Sequence, residues 1–405
     1  MTTPEKPQTP PGQPPQGQPY QQQAPQHQPA PYQQPAASEH PQNAANHQQF
    51  QPQGQQFQPQ GQQQPQDHAN HNAHHEQSEQ RWASEHQLDQ TDHELRERFE
   101  KARAEVGKAV VGQTEAVEGI MVALLSGGHV LLEGVPGVAK TLLVRSIAGA
   151  LDLDSARIQF TPDLMPGDVT GSMIYNAQTS SFEFREGPVF TNILIADEIN
   201  RTPPKTQSAL LEAMEERQVS VDGLTRKLDE PFLVAATQNP VEYDGTYPLP
   251  EAQLDRFLFK LILDLPQRNT EVEILTRHAA GFSAHDLSRI EPMLNRDTIL
   301  DASQRAQNVY CAPEVLEYIV DLVQATRRAP SFALGVSPRG ATRLLAATRS
   351  RAWLHGRAFI TPDDVKALMG ITFRHRVQLR PEAQMDGIGI DQVLDSIVST
   401  VAVPR

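Results

Sequence analysis

The string Gly134-Val135-Pro136-Gly137-Val138-Ala139-Lys140-Thr141 places two glycines, an amine and a hydroxyl in one short run. Glycines let a backbone bend until several N–H groups converge on one point, and a helix that begins there adds its positive dipole end. Such a nest suits the oxygens of a polyphosphate. Lys140 would reach the outer phosphates, and the Thr141 hydroxyl would hold Mg²⁺. One position departs from the general pattern G-x-x-x-x-G-K-[ST]. Ala139 stands where glycine is usual, so the loop must keep a conformation there that an L-residue tolerates.

Further along, Ile193-Leu-Ile-Ala-Asp197-Glu198 is an apolar run ending in two carboxylates. In a parallel sheet the strand ends carry the functional groups, at the edge where the phosphate loop would lie. Asp197 is placed to hold Mg²⁺, directly or through water, and Glu198 to orient and activate an attacking water. A surface acidic pair at a strand end is the plainer alternative. Asn239, at the end of another apolar run, is by itself most often a turn former. At this edge it could hydrogen-bond a γ-phosphate or the attacking water.

These groups need elements to hold them. Val130–Leu132 reads as a short buried strand before the loop, and an apolar helix runs from Leu142 to about Leu151. A helix pattern follows over Lys205–Gln218, then a strand over Phe232–Asn239 and a last one in FLFKLILDL, residues 257–265. Five strands alternating with helices predict an open parallel α/β sheet with helices on both faces. Ahead of it, Leu95, Phe99, Ala102 and Val106 share one face of an amphipathic helix. Beyond Gln267 no comparable strand run occurs. Helix patterns over Pro313–Ala329, Pro338–His355 and Pro362–Met369, one opened by Pro338-Arg-Gly340 and one by Thr361 as N-cap with a first-turn proline, predict a small all-α domain. The expected layout is a tail over 1–85, an α/β core over 92–267, a helical domain over 268–380 and a C-terminal segment over 381–405.

The tail differs in kind. Residues 1–80 hold 26 Gln and 15 Pro and no Leu, Ile or Val, so no packed core can form and disorder is expected. QFQPQGQ occurs twice in tandem, at Gln49–Gln55 and Gln56–Gln62. Phe50, Phe57, Tyr20 and Tyr32 are either parts of a solvated spacer or stickers for weak association. His68, His71, His74 and His75 lie close together, with nothing to pre-organise them as a metal site.

Bulk composition narrows the classes. The net charge of −14 argues against a strong nucleic-acid binder, which would neutralise phosphates with clustered Lys and Arg. Cys311 is the one cysteine, so an intrachain disulfide and a multi-cysteine metal site are excluded. No run approaches the ~18 apolar residues of a membrane span, and the opening MTTPEKPQTPPGQ lacks a secretory pattern, so the expectation is a cytoplasmic chain.

The order of elements resembles the AAA+ ATPases, and within them the MoxR family, over roughly Asp92–Val377. The strings that carry the resemblance are GVPGVAKT, the run from Gln159 to Gly171, ADEINRTPPKTQSALLEAMEE, ATQNPVEYDGTYPLPEAQLDRF and GVSPRG. In that family Ala is an accepted variant in the phosphate loop. The resemblance implies ATP and Mg²⁺ as ligands, with Gly134–Thr141 as Walker A and Asp197 and Glu198 as Walker B. Thr141 and Asp197 would then hold the metal. Val110, Val111 and Gln113 would lie on the adenine side, completing a nucleotide set with Gly134, Val135, Pro136, Gly137, Val138, Ala139, Lys140, Thr141 and Leu142. Asn239 resembles sensor 1, and Arg256 in LDRF resembles the arginine finger that reaches the next subunit's nucleotide. Arg339 in SPRG resembles sensor 2, which reports nucleotide state from the helical lid. Ser172–Pro188 resembles a β-hairpin that commonly faces a central pore.

The function implied by the resemblance is an ATP hydrolase, a homo-hexameric ring that remodels or matures a protein client or adaptor, with a von Willebrand factor A-like domain as the partner type the family suggests. Two other readings stay open. One is a nucleic-acid-associated motor, though no helix-turn-helix, zinc module or basic stripe is visible. The other is a nucleotide-gated scaffold with little turnover.

Overall fold

A computed structural model describes residues 87–239, 246–283 and 286–404. The Gln/Pro-rich tail, with its tandem repeats, aromatic residues and His cluster, lies outside the described residues.

Helix α1, Gln90–Ala109, begins at a capping box: the Asp89 carboxylate accepts from the Asp92 N–H, and the Asp92 carboxylate accepts from that of Asp89. Helix α2 is Thr114–Leu125, strand β1 Val130–Glu133 and helix α3 Lys140–Ala150. Then come β2, Ser155–Gln159, the short α4, Pro166–Thr170, and a hairpin of β3, Gly171–Asn176, and β4, Ser181–Glu186. Strand β5, Ile193–Asp197, is followed by a 3₁₀ turn and α5, Pro204–Glu216. A second hairpin joins β6, Gln218–Val221, to β7, Leu224–Lys227. The sequence signal for it, Asp222-Gly223 between short alternating runs, is a common hairpin turn. Strand β8, Leu233–Gln238, one turn of helix α6, Glu251–Leu254, and β9, Phe259–Ile262, complete the α/β part.

Five strands form one sheet in the order β2-β5-β8-β1-β9, every neighbouring pair parallel. Strand β5 is buried along its whole length, and so is β8 up to Gln238, which explains their unbroken apolar runs. Alternate residues face opposite sides. Val130, Leu132, Ile193, Ile195, Leu233 and Ala235 pack with α1, α2 and α3. Leu131, Leu194, Ala196, Val234 and Ala236 pack with Leu210, Leu211 and Met214 of α5. Helices therefore cover both faces.

From Arg268 onward helices dominate: α7, Arg268–Ala279; α8, Arg296–Gln307; α9, Pro313–Arg328; α10, Pro338–Leu354; α11, Pro362–Phe373; α12, Pro381–Met385; and α13, Ile390–Thr400. One departure from the all-α expectation is a two-stranded ribbon of β10, Phe332–Leu334, and β11, Gln378–Leu379. Strands of two or three residues are too short to show a period. Helix α13 buries Leu394 and Ile397 in the same core as α9 and α11, so part of the segment beyond residue 380 packs with the helical region. Trp353 of α10 ties that region to α1. Its ring meets Phe99 edge-on at 5.9 Å, and its Nε1 donates to Asp92 at 2.8 Å.

Candidate active site

Strand β1 ends at Glu133, held by an ion pair with Lys260 of β9 at 2.8 Å. At Gly134 a Cβ would meet the Leu263 carbonyl oxygen at 2.6 Å, so only glycine passes there. Gly137 has φ 89°, which glycine adopts without strain. Ala139, at φ 64° and ψ 27°, sits in the left-handed region and immediately precedes α3. That region is small but open to an L-residue, as the loop requires, and the Cβ costs about 1 kcal/mol there. The Lys140 ammonium turns back over the loop, donating to the Gly134 carbonyl at 2.5 Å and the Gln238 carbonyl at 3.3 Å. The Thr141 hydroxyl donates to Asp197 Oδ2 at 3.2 Å.

Asp197 closes β5 almost fully buried, 6 % exposed. Its Oδ1 accepts from the Thr237 hydroxyl at 3.2 Å, and its Oδ2 pairs with Arg157 Nε at 2.6 Å. Glu198 is also left-handed, at φ 57°, and its N–H donates to the same Thr237 hydroxyl at 3.0 Å. Its Oε2 accepts from Gln159 Nε2 at 2.7 Å and lies 3.1 Å from Arg201 Nε. Asn239 follows β8 and is buried. Since β1, β5 and β8 are adjacent and parallel, the loop, both carboxylates and Asn239 share one sheet edge. Thr141 and Asp197 offer two hard oxygens side by side. That is a fitting donor set for Mg²⁺, which binds through one or two carboxylates and phosphate oxygens. Among the described residues no cluster of three or more His, Cys, Asp or Glu could hold a metal alone.

Beside the loop lies a cavity of about 480 Å³, a size in the range of small-ligand pockets. Val110, Val111, Gln113 and the run from Gly137 to Leu142 line it. Gly134, Val135 and Pro136 belong to the loop but do not line the cavity. The helical region adds Ile274, Arg277, His278 and Phe282, and Pro266 precedes them. His278 meets Phe282 edge-on at 5.4 Å, which gives this end an apolar, aromatic wall.

Arg256 and Arg339 lie elsewhere. Arg256 falls between α6 and β9, where the Leu258 N–H donates to the carbonyl of His129, just ahead of β1. This is the opposite end of β1 from the phosphate loop, roughly 16 Å away over the five residues from His129 to Gly134 at ~3.3 Å per residue. Arg339 opens α10 and pairs with Glu215 and, at 3.8 Å, with Asp255. The hydrogen bond from Arg339 holds the Glu215 carboxyl below its usual range. The structure thus groups Arg339 with Arg256 and brings neither to the phosphate loop of its own chain.

The comparisons with known proteins agree with this architecture. Residues 129–259 match the family model of the ATPases associated with various cellular activities (AAA), and residues 324–397 match the AAA lid domain. A Bacillus subtilis relative, the uncharacterized protein YeaC, is 50% identical over 75% of this chain and 94% of its own length. Chaperone MoxR1 of Mycobacterium tuberculosis is 44% identical over 76% of this chain and 82% of its own length. Protein MoxR of Paracoccus denitrificans is 31% identical over 76% of the chain and 96% of its own length. The chain belongs to the MoxR family of AAA+ ATPases. A solved Cytophaga hutchinsonii structure assigned as an ATPase superposes with a TM-score of 0.72 at 39% identity, covering 78% of this chain and 97% of that one.

In this MoxR-family chain, several groups at the phosphate edge are given no role from sequence. Thr237 touches both Asp197 and Glu198, and Gln159 and Arg157 of β2 each engage one of the two carboxylates. The signal available for Gln159 and Arg157 is their alternation along a short edge strand in which Ile158 alone is buried. Nothing local marks Ile274, His278 or Phe282 as cavity residues, since only tertiary folding brings them there. The hairpin β3–β4 projects Phe182 and Tyr175, 67% and 54% exposed, with their rings 5.4 Å apart.

Proposed function

We propose that this MoxR-family chain is a Mg²⁺-dependent ATP hydrolase, active as a cytoplasmic ring of identical subunits, most simply a hexamer, and coupled to remodelling of a protein client. The convergence of Lys140, Thr141, Asp197 and Glu198 on one sheet edge beside a nucleotide-sized cavity carries this reading.

In it, the loop amides and Lys140 bind the β- and γ-phosphates, and the wall of Val110, Val111, His278 and Phe282 receives the base. Thr141 and Asp197 hold Mg²⁺, which supplies charge neutralisation to the phosphates when bound. Glu198 takes a proton from the attacking water as its oxygen bonds to the γ-phosphorus and the bond to ADP breaks. Thr237 fixes both carboxylates through one hydroxyl, and Asn239 orients the γ-phosphate or the water. Arg256 cannot reach its own loop across the sheet, so we assign its charge, with that of Arg339, to the nucleotide of a neighbouring copy. Catalysis then requires assembly. The exposed aromatic pair of the β3–β4 hairpin suits contact with an extended client. The relative named as a chaperone supports a protein client, and the von Willebrand factor A-like partner rests on family resemblance alone.

The test is ATP turnover by the purified full chain against Glu198→Gln. Loss of the general base should lower turnover about 10²–10⁴-fold. Undiminished turnover in the variant would overturn the assignment.

A further inference from the structure

Across the sheet from the phosphate loop, one side chain of the helical region is buried against the segment that carries Arg256. Arg376, only 6 % exposed, follows α11. Its Nε donates to Asp255 Oδ1 at 2.6 Å, Nη1 to the Leu258 carbonyl at 3.0 Å, and Nη2 to the carbonyls of Phe257 at 2.5 Å and Asp255 at 3.3 Å. Nη1 also reaches the carbonyl of Thr372, in the last turn of α11. The neighbouring His375, fully buried, bonds the Phe257 carbonyl at 3.0 Å through Nε2.

Burying a guanidinium is costly, and an apolar side chain of the same size would fill the space at least as well. Burial pulls the Arg376 pKa down to about 10, yet the group stays charged at neutral pH. What a planar fork of five donors provides is geometry: it fixes several backbone carbonyls at once. Here those carbonyls belong to Asp255, Phe257 and Leu258, the residues on either side of Arg256. The same Asp255 carboxylate faces Arg339 at 3.8 Å.

We propose that Arg376 is a positioning residue, which clamps Asp255–Leu258 to the helical region and thereby sets where Arg256 is presented to the neighbouring copy. Any rotation of the helical region against the sheet carries this clamp with it, so the stance of Arg256 follows the lid. The inference rests on the reading of Arg256 as a trans-acting residue, and the test separates the two.

Full-length Arg376→Gln is assayed for Mg-ATP affinity and turnover, alone and mixed with Lys140→Ala or Arg256→Ala. Alone it should bind Mg-ATP within about twofold of wild type while turnover falls about a hundredfold, the scale for a displaced catalytic group. Mixing with Lys140→Ala, which supplies an intact Arg256, should restore turnover. Mixing with Arg256→Ala should not. Unchanged turnover, a loss explained by weaker nucleotide binding, or recovery with Arg256→Ala would each overturn the proposal. If Arg376→Gln does not fold, Asp255→Asn, which leaves every backbone carbonyl in place, must show the same pattern of rescue. The control pair Lys140→Ala with Arg256→Ala reads the underlying assignment. Failure of those two to complement removes the trans role of Arg256 itself, whatever Arg376 does.

Discussion

The two ends of the central sheet solve different problems. At the end where β1, β5 and β8 finish, the working groups come from short strings: a loop of eight residues, a pair of adjacent carboxylates and the close of one strand. At the other end, five arginines face one another across the fold. Arg256 precedes β9 and Arg217 follows α5, whereas Arg339, Arg343 and Arg376 belong to the helical region, and Glu215, Glu230 and Asp255 are the acids among them. Burial depresses both Arg343 and Arg376, and the surrounding positive charge adds to the effect. An edge with more cations than anions is suited to receive a phosphate from outside the chain. If the first edge acts within a subunit and the second between subunits, binding is built locally and completion of the site by tertiary contact.

The largest effect expected from this contrast is on turnover. Arg256→Ala should leave Mg-ATP affinity unchanged and lower kcat by about 10³-fold, the scale seen when a transition-state arginine is lost. Equilibrium binding and steady-state kinetics on the same preparation check it. Weakened nucleotide binding with normal kcat would place Arg256 on the wrong edge.

A smaller effect concerns acid. His129 is fully buried, its Nε2 bonded to the Met214 carbonyl and its Nδ1 accepting from the Val234 N–H, and burial lowers its pKa to about 3. Burial also pushes His375 well below its usual value. Both hold the arginine edge and neither touches the phosphate edge. A His whose folded pKa is depressed contributes stability that is complete above the unfolded value of about 6.5 and is lost as pH falls below it. The loss is about 1.4 kcal/mol per pH unit for each group. Thermal melts should therefore move down steadily between pH 7 and pH 5. His129→Gln, which cannot take up a proton, should flatten part of that slope. A melting temperature independent of pH over this range would contradict the account.

The smallest effect lies in the phosphate loop. Ala139→Gly relieves the left-handed strain at φ 64° and should stabilise the chain by a few tenths to about 1 kcal/mol. Glycine also has more freedom to lose on folding, which limits the gain. Denaturant unfolding measures it, and a clear loss of stability would mean that the alanine methyl makes a contact the strain argument overlooks.

The same division governs what can be read from the chain alone. Strands β1, β5 and β8, the loop and the acid pair stand out because buried parallel strands are continuous apolar runs and because phosphate chemistry needs glycine, Lys and Thr in fixed order. Strand β2 has no such run, being an edge strand with Ile158 as its one buried residue. The left-handed turn at Ala139 escapes any rule that reads alanine as an ordinary helix former. His278 and Phe282 enter the cavity, and Arg376 reaches Asp255, only after segments more than a hundred positions apart are packed together. Nothing in local spacing marks an arginine as a buried clamp. The helices around these residues are legible from caps and amphipathic period, but their mutual placement is a property of the core they share.

The claim on which the rest depends is that one sheet edge binds Mg-ATP and cuts it with Glu198. Calorimetric titration of Glu198→Gln with ATP and Mg²⁺, followed by phosphate release from the same sample, tests it most directly. Affinity should stay close to wild type while release falls at least about a hundredfold. Release at the wild-type rate, or a chain that takes up no Mg-ATP at all, would contradict it.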